Sequence, residues 1–227
     1  MNGKYAGTGF THVPGGDDYR DRSVLSYHYY CIILSLIPVP GNESIPIYDR
    51  VLCDDVEGPA LLRSVQIDVR QLGSGAFLTE FGGCGESQTC DDQVEWGLDQ
   101  ADEHLQSWAF WGEILGINAT IKQLSRIYAP AVAGKPLSMQ YLAKQRTFQL
   151  SYYVNTNVTQ PTEIFIPSIK FPNRSYNVTV NSVLKWRVDT TNPDLILVEP
   201  NQQVIANVRD PIIGVVEITP TTSSEFH

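Results

Sequence analysis

The sequence predicts two architectures in series: a parallel α/β unit over residues 1–136 and an all-β sandwich over residues 137–227. Two observations carry this reading. In the first part, apolar runs of strand length alternate with amphipathic stretches of helix length. After Lys135 the helical periodicity stops, and short β-rich runs follow at near-regular spacing, separated by Asn, Pro and Thr.

The elements follow in order. "SVLSYHYYCII" (23–33) is rich in Tyr, Val and Ile and reads as a buried strand. "GPALLRSVQIDVRQLG" (58–73) carries Leu61, Leu62, Val65, Val69 and Leu72 at three- and four-residue spacing between two glycines, so it reads as a helix. "GAFLTEF" (75–81) is the next strand. The stretch after it opens on Asp91 and Asp92 as N-cap candidates for a helix to about Gln106, with Asp91, Asp92, Glu95 and Asp102 forming a solvated face. "SWAFWGEI" (107–114) is a third short strand, and "IKQLSRIYAPAVAG" (121–134) a third helix, broken at Pro130 and closed at Gly134. Three strand–helix units make part of a barrel and cannot close one. Beyond them, "RTFQLSYYVN", "TEIFIPS", "YNVTVNS", "VLKWRVDT", "LILVEP" and "IIGVVEITP" are the strands of the sandwich.

Composition narrows the function. The chain has 227 residues, 42% hydrophobic and 18% charged, with a formal net charge of −9. So acidic a protein lacks the basic surface that nucleic-acid binding requires. The longest apolar run, "CIILSLIPVP" (31–40), is too short to span a bilayer, and no secretory signal follows Met1. Yet five Asn-x-Ser/Thr sequons are present, at Asn42, Asn118, Asn157, Asn173 and Asn177, with an even count of four cysteines. Together these lead to the expectation of a glycosylated, secreted or lysosomal protein whose N-terminal part is missing from this sequence.

Four cysteines allow three pairings. The local one, Cys84 with Cys90 around "GESQT" and Cys31 with Cys53, is preferred over the other two. A zinc site is the competing use, but there is no Cys-x-x-Cys and only four scattered histidines, so it is not preferred.

In parallel α/β folds, reactive groups sit at the carboxyl ends of strands. Glu80 closes "AFLTEF", His28 and Tyr30 lie near the end of "VLSYHYYC", and Trp108 and Trp111 lie at the end of "LQSWAFW". A carboxylate, a His/Tyr pair and a tryptophan at one end of such a sheet would suit a sugar: the indole stacks on the ring, imidazole and phenol hold polar groups, and the carboxylate attacks the anomeric carbon. Each residue has an ordinary alternative. A lone strand-end Glu is more often solvated or ion-paired, His28 could be a core histidine, and Trp108 packs if Trp111 faces the site. Tyr29 is expected to point outward or into the layer between barrel and helices. The coincidence of all three at successive strand ends favours function.

The set "GFTHVPGG" (9–16), "SYHYYC" (26–31), "FLTEFGGCGESQTC" (77–90) and "LQSWAFWGE" (105–113), with "YAPAVAGKPLSMQY" (128–141) leading into β-rich sequence, resembles the endoglycoceramidase-like branch of glycoside hydrolase family 5. The resemblance implies strands 6–8 of a (β/α)8 barrel followed by a C-terminal β-sandwich. It implies Glu80 as the nucleophile of a retaining hydrolase, His28 and Tyr30 as substrate-binding neighbours, and Trp111 as the floor of a sugar subsite. The implied substrate is a glycosphingolipid cut between glycan and ceramide, or a simpler β-glucoside, and the resemblance implies no metal or cofactor. The family's acid/base glutamate stands in an Asn-Glu-Pro, and no Asn-Glu-Pro occurs here. This chain is therefore expected to carry the nucleophile half and to turn over poorly alone. The rival expectation is a non-catalytic remnant whose sandwich docks a glycan or membrane surface.

Overall fold

The computed structural model describes residues 9–31, 51–82, 88–112, 118–206 and 211–221. It divides into two compact units, Met1–Gly116 and Ile117–His227.

The first unit is built on three parallel strands, β1 (Val24–Tyr29), β2 (Gly75–Phe81) and β3 (Ser107–Trp108), in the order β1-β2-β3. Helix α1 (Gly58–Leu72) connects β1 to β2, entered through a π-helical turn over Val51–Glu57. Its boundaries are those the spacing predicts: Gly73 ends it in the left-handed conformation at φ 65°, with its N–H bonded to the Val69 carbonyl. Helix α2 (Gln88–Glu103) connects β2 to β3. It begins before Asp91 and Asp92, which therefore lie inside its first turns rather than at the N-cap position. Asp102 is also not on a solvated face, being 5% exposed beside the buried Leu98 and Ala101.

The sheet has two unlike faces. On β1, Leu25, Tyr27 and Tyr29 are buried while Val24, Ser26 and His28 are exposed. The buried set meets the helices: the Tyr29 ring lies 4.7 Å from that of Trp96 on α2, its hydroxyl donates to the Cys53 carbonyl, and Tyr27 donates to buried Gln106. Tyr29 thus sits where it was expected. Period-2 alternation drives this division: a strand offers one apolar row, and the helices cover it.

Cys31 and Cys53 form a disulfide, as preferred from the sequence. Cys90 is disulfide-bonded too; Cys84, the partner expected for it, lies outside the described residues.

The second unit pairs two antiparallel four-stranded sheets. One has the order β4-β7-β10-β9, from Tyr128–Ala131, Thr162–Phe165, Leu195–Pro200 and Leu184–Val188. The other has the order β5-β6-β11-β8, from Gly134–Leu142, Thr147–Val154, Ile213–Pro220 and Tyr176–Val180. Their inner faces supply one core: Tyr141, Phe148, Leu150, Tyr152, Val216 and Ile218 from one sheet, Ile164, Leu184, Ile196 and Val198 from the other.

This unit starts earlier than residue 137. The helix read over 121–134 is in fact a short helix, α3 (Asn118–Leu124), followed by strand β4. Pro130, read as a helix breaker, lies in β4, an edge strand, where a residue without an N–H costs least. Strand β5 was not anticipated at all. Its Lys, Pro, Ser and Gln hide the alternation, and a bulge between Pro136 and Ser138 interrupts it. Of the sequons, Asn157, Asn173 and Asn177 are exposed in this unit, Asn118 opens α3, and Asn42 lies outside the described residues.

Among the described residues, no helix is long and apolar enough to cross a membrane, and no three His, Cys, Asp or Glu side chains are placed to hold a metal.

Candidate functional site

The expected cluster forms at the carboxyl ends of β1 and β2. The sequence places β1 and β2 in parallel register from Val24–Gly75 through Tyr27–Leu78. There the register shifts: His28 pairs with Glu80 rather than with Thr79. Thr79 is the extra residue of a β-bulge. Its effect shows in burial, since Leu78 and Phe81 are both turned to the helices although three residues apart, and Thr79 and Glu80 lie together between them. Across the strands, Ser26 meets Thr79 and His28 meets Glu80.

One oxygen of Glu80 has two polar neighbours. The Tyr30 hydroxyl donates to Oε2 at 3.2 Å, and His28 Nδ1 lies 3.2 Å from the same atom. Among the described residues, no hydrogen bond falls on Oε1. The carboxylate is 29% exposed and His28 50%, so a solute reaches both. The Tyr30 hydroxyl is pushed up to about 12, by burial first and then by the charge and hydrogen bond of Glu80. It therefore remains a proton donor to Glu80 across all ordinary pH. One oxygen is held in place, and the other accepts no hydrogen bond among the described residues.

Two covalent and hydrogen-bonding ties fix the Tyr30 end of β1. The Cys31–Cys53 disulfide follows it directly, and the Tyr29 hydroxyl binds the Cys53 carbonyl at 3.0 Å just before it. The sequence reading paired these two cysteines, and the structure places the disulfide one residue after Tyr30.

Trp111 comes to the same sheet end by its backbone. Its N–H donates to the Phe81 carbonyl at 2.8 Å, and it bridges Gly82 in parallel. Gly82 has φ 88°, and a Cβ there would run into the Phe110 ring, so only glycine lets the strand end pass this close. The Trp111 indole is 59% exposed and makes no hydrogen bond to the His28–Tyr30–Glu80 group among the described residues. Trp108 packs edge-on against Phe81, with ring centroids 5.7 Å apart, which is the packing role expected if Trp111 serves the site. The pair missed from sequence was Ser26 and Thr79. The signal was there in "LTEF", where two large apolar residues stand three apart instead of two.

Known proteins share this arrangement of sequence and fold. Residues 126–209 match the family described as "Glycoside hydrolase family 5 C-terminal domain". An endoglycoceramidase of Cyanea nozakii is 30% identical over 200 residues, 78% of this chain and 35% of that protein. One of Hydra vulgaris is 29% identical over 196 residues, 78% of this chain and 33% of that protein. The chain thus spans about a third of the length of these relatives. Among solved structures, endo-glycoceramidase II from Rhodococcus sp. in a lactosyl-enzyme intermediate has a TM-score of 0.64 at 23% identity, covering 88% of this chain and 42% of that one. Its complex with ganglioside GM3 has a TM-score of 0.58 at 23% identity, covering 75% and 37%. The chain is therefore similar to endoglycoceramidases through most of its length and has the fold of part of one.

Proposed function

We propose that this chain carries the nucleophile half of a retaining glycoside hydrolase that cleaves glycosphingolipids between glycan and ceramide, with Glu80 as the nucleophile. The observation that carries the reading is the one-sided setting of Glu80: the Tyr30 hydroxyl donates to Oε2 and His28 Nδ1 lies 3.2 Å from the same atom, while Oε1 accepts no hydrogen bond among the described residues. A carboxylate so held presents one oxygen in a fixed direction. Oε1 attacks the anomeric carbon, the bond from that carbon to the aglycone oxygen breaks, and a glycosyl ester forms on Glu80. Water later attacks the same carbon and releases Glu80. Two structures of one similar protein support this reading: the lactosyl-enzyme intermediate and the ganglioside GM3 complex of the Rhodococcus endo-glycoceramidase II. Trp111, exposed beside the strand end, offers the sugar an apolar face.

The first step needs an acid to protonate a ceramide or alcohol oxygen, and the Asn-Glu-Pro that would supply it is absent from this sequence. The experiment follows from that gap. A 2-deoxy-2-fluoro-β-glucosyl fluoride loses fluoride, which needs no proton, so the nucleophile alone suffices. Incubation should add one fluoroglucosyl mass to the chain, mapped to the Glu80 peptide, while a natural β-glucoside is hydrolysed slowly or not at all. A folded chain that stays unlabelled would remove Glu80 from the nucleophile's role and leave the rival reading, a non-catalytic glycan- or membrane-binding module. The exposed sequons at Asn157, Asn173 and Asn177 and the disulfides support a secreted or lysosomal setting. Glycosidase-sensitive mass on the cell-expressed protein checks it.

A further inference from the structure

We infer that the Ser26–Thr79 hydroxyl pair is a positioning device: it pins the β-bulge that brings His28 and Tyr30 onto Glu80. The inference rests on the reading of Glu80 as the reactive group.

Three geometric facts converge on it. Thr79 is the extra residue at the register shift between β1 and β2, so its placement decides whether His28 faces Glu80 or Thr79. The Thr79 hydroxyl donates to the Tyr27 carbonyl across the strands at 3.2 Å. The Ser26 hydroxyl lies 2.6 Å from Thr79 Oγ1. Thr79 has one proton to give, and it goes to Tyr27, so Ser26 must be the donor to Thr79. A directed chain results: Ser26 to Thr79, and Thr79 to the backbone one residue before His28.

The pair also lies on the right face. Ser26 and His28 alternate outward on β1, and the bulge turns Thr79 and Glu80 out together on β2, so two cross-strand pairs stand in series. A strand without the bulge would carry Glu80 to the helix side, one residue out of step, because each residue of slip reverses the face. A hydroxyl that bridges the strands at the slip point opposes that reversal. Valine has the same shape without the bridge; serine keeps the bridge without the methyl group.

The Tyr30 phenol reports the geometry without any sugar, since part of its displacement comes from Glu80. The experiment is a ¹³C tyrosine titration of the whole chain, with Tyr30 assigned by Tyr30→Phe, in wild type, Glu80→Gln, Thr79→Val, Ser26→Ala and Thr79→Ser. Wild type should titrate at about 12. Glu80→Gln should fall toward the ordinary tyrosine value, Thr79→Val should fall in the same direction, Ser26→Ala less far, and Thr79→Ser should match wild type. Labelling of Glu80 by the glycosyl fluoride should slow roughly 10- to 100-fold in Thr79→Val and recover in Thr79→Ser, as small misplacements of a reacting group do. Either Thr79→Val or Ser26→Ala, folded and with Tyr30 still titrating as in wild type, overturns the inference; so does a folded Thr79→Ser that behaves like Glu80→Gln. Absence of labelling in wild type would strike the proposed function and leave the titration result standing.

Discussion

The two units treat the faces of their sheets differently. In the sandwich, each sheet turns its apolar face to the other, and Phe148, Ile164, Ile196, Val216 and Ile218 are wholly buried. Among the described residues of the α/β unit the helices cover one face, and the other shows Val24, Ser26 and His28 on β1 with Thr79 and Glu80 on β2. Parallel sheets are ordinarily covered on both faces. The comparison teaches where chemistry is housed: the closed unit spends its side chains on packing, and the half-open one places polar side chains where a solute can reach them.

The largest effect expected from that difference is in core truncation. Phe148→Ala should destabilise the second unit by about 3–5 kcal/mol, the usual cost of removing a buried aromatic ring. His28→Ala on the open face should change the stability of the first unit by less than about 0.5 kcal/mol. Urea titrations of the two variants check both, and a large loss from His28→Ala would mean that the open face is structural rather than functional.

Reduction should separate the units further. All four cysteines precede residue 117, and Cys31–Cys53 closes a loop of 22 residues, so its loss should cost the first unit about 2–4 kcal/mol. The sandwich holds no cysteine and should unfold at the same denaturant concentration with or without reductant. Hydrogen exchange under both conditions resolves the two.

Alkali gives a smaller contrast. Burial pushes Tyr27 up to about 12. The folded form therefore keeps a proton that the unfolded chain releases near pH 10, and stability contributed by neutral Tyr27 falls as pH rises from about 10 to about 12. Tyr27→Phe should flatten that loss over the same window, as seen in pH-dependent melting. Unchanged alkaline sensitivity would point to other tyrosines. Least of all should come from the surface ion pairs of the sandwich: the exposed Lys185 and Arg187 of β9 reach Glu199 at 3.2 and 3.5 Å. Glu199→Gln should cost under about 1 kcal/mol and lose its effect in high salt.

The elements legible in the sequence are those in which local pattern and tertiary burial agree. Helix α1 runs between its two glycines because the apolar spacing, the proline in its first turn and the left-handed Gly73 all act within a few residues. Strands β2 and β10 begin and end where their apolar runs do. The motif order also carried the resemblance to endoglycoceramidases, and with it Glu80, His28 and Tyr30 as neighbours.

Other features depended on partners distant in the chain. Residues 128–131 have apolar spacing that suits a helix, but an open edge of a sheet claims them, and an edge strand, paired on one side, is where a proline costs least. Asp102 is buried because of what α2 packs against, which its own helix face does not reveal. Above all, the register of β1 against β2 is set by a bulge. Sequence alone determined that a carboxylate, an imidazole and a phenol would lie near neighbouring strand ends. Only the tertiary structure decided that one oxygen of Glu80 takes both neighbours, because a one-residue slip in pairing reverses the face of every side chain beyond it.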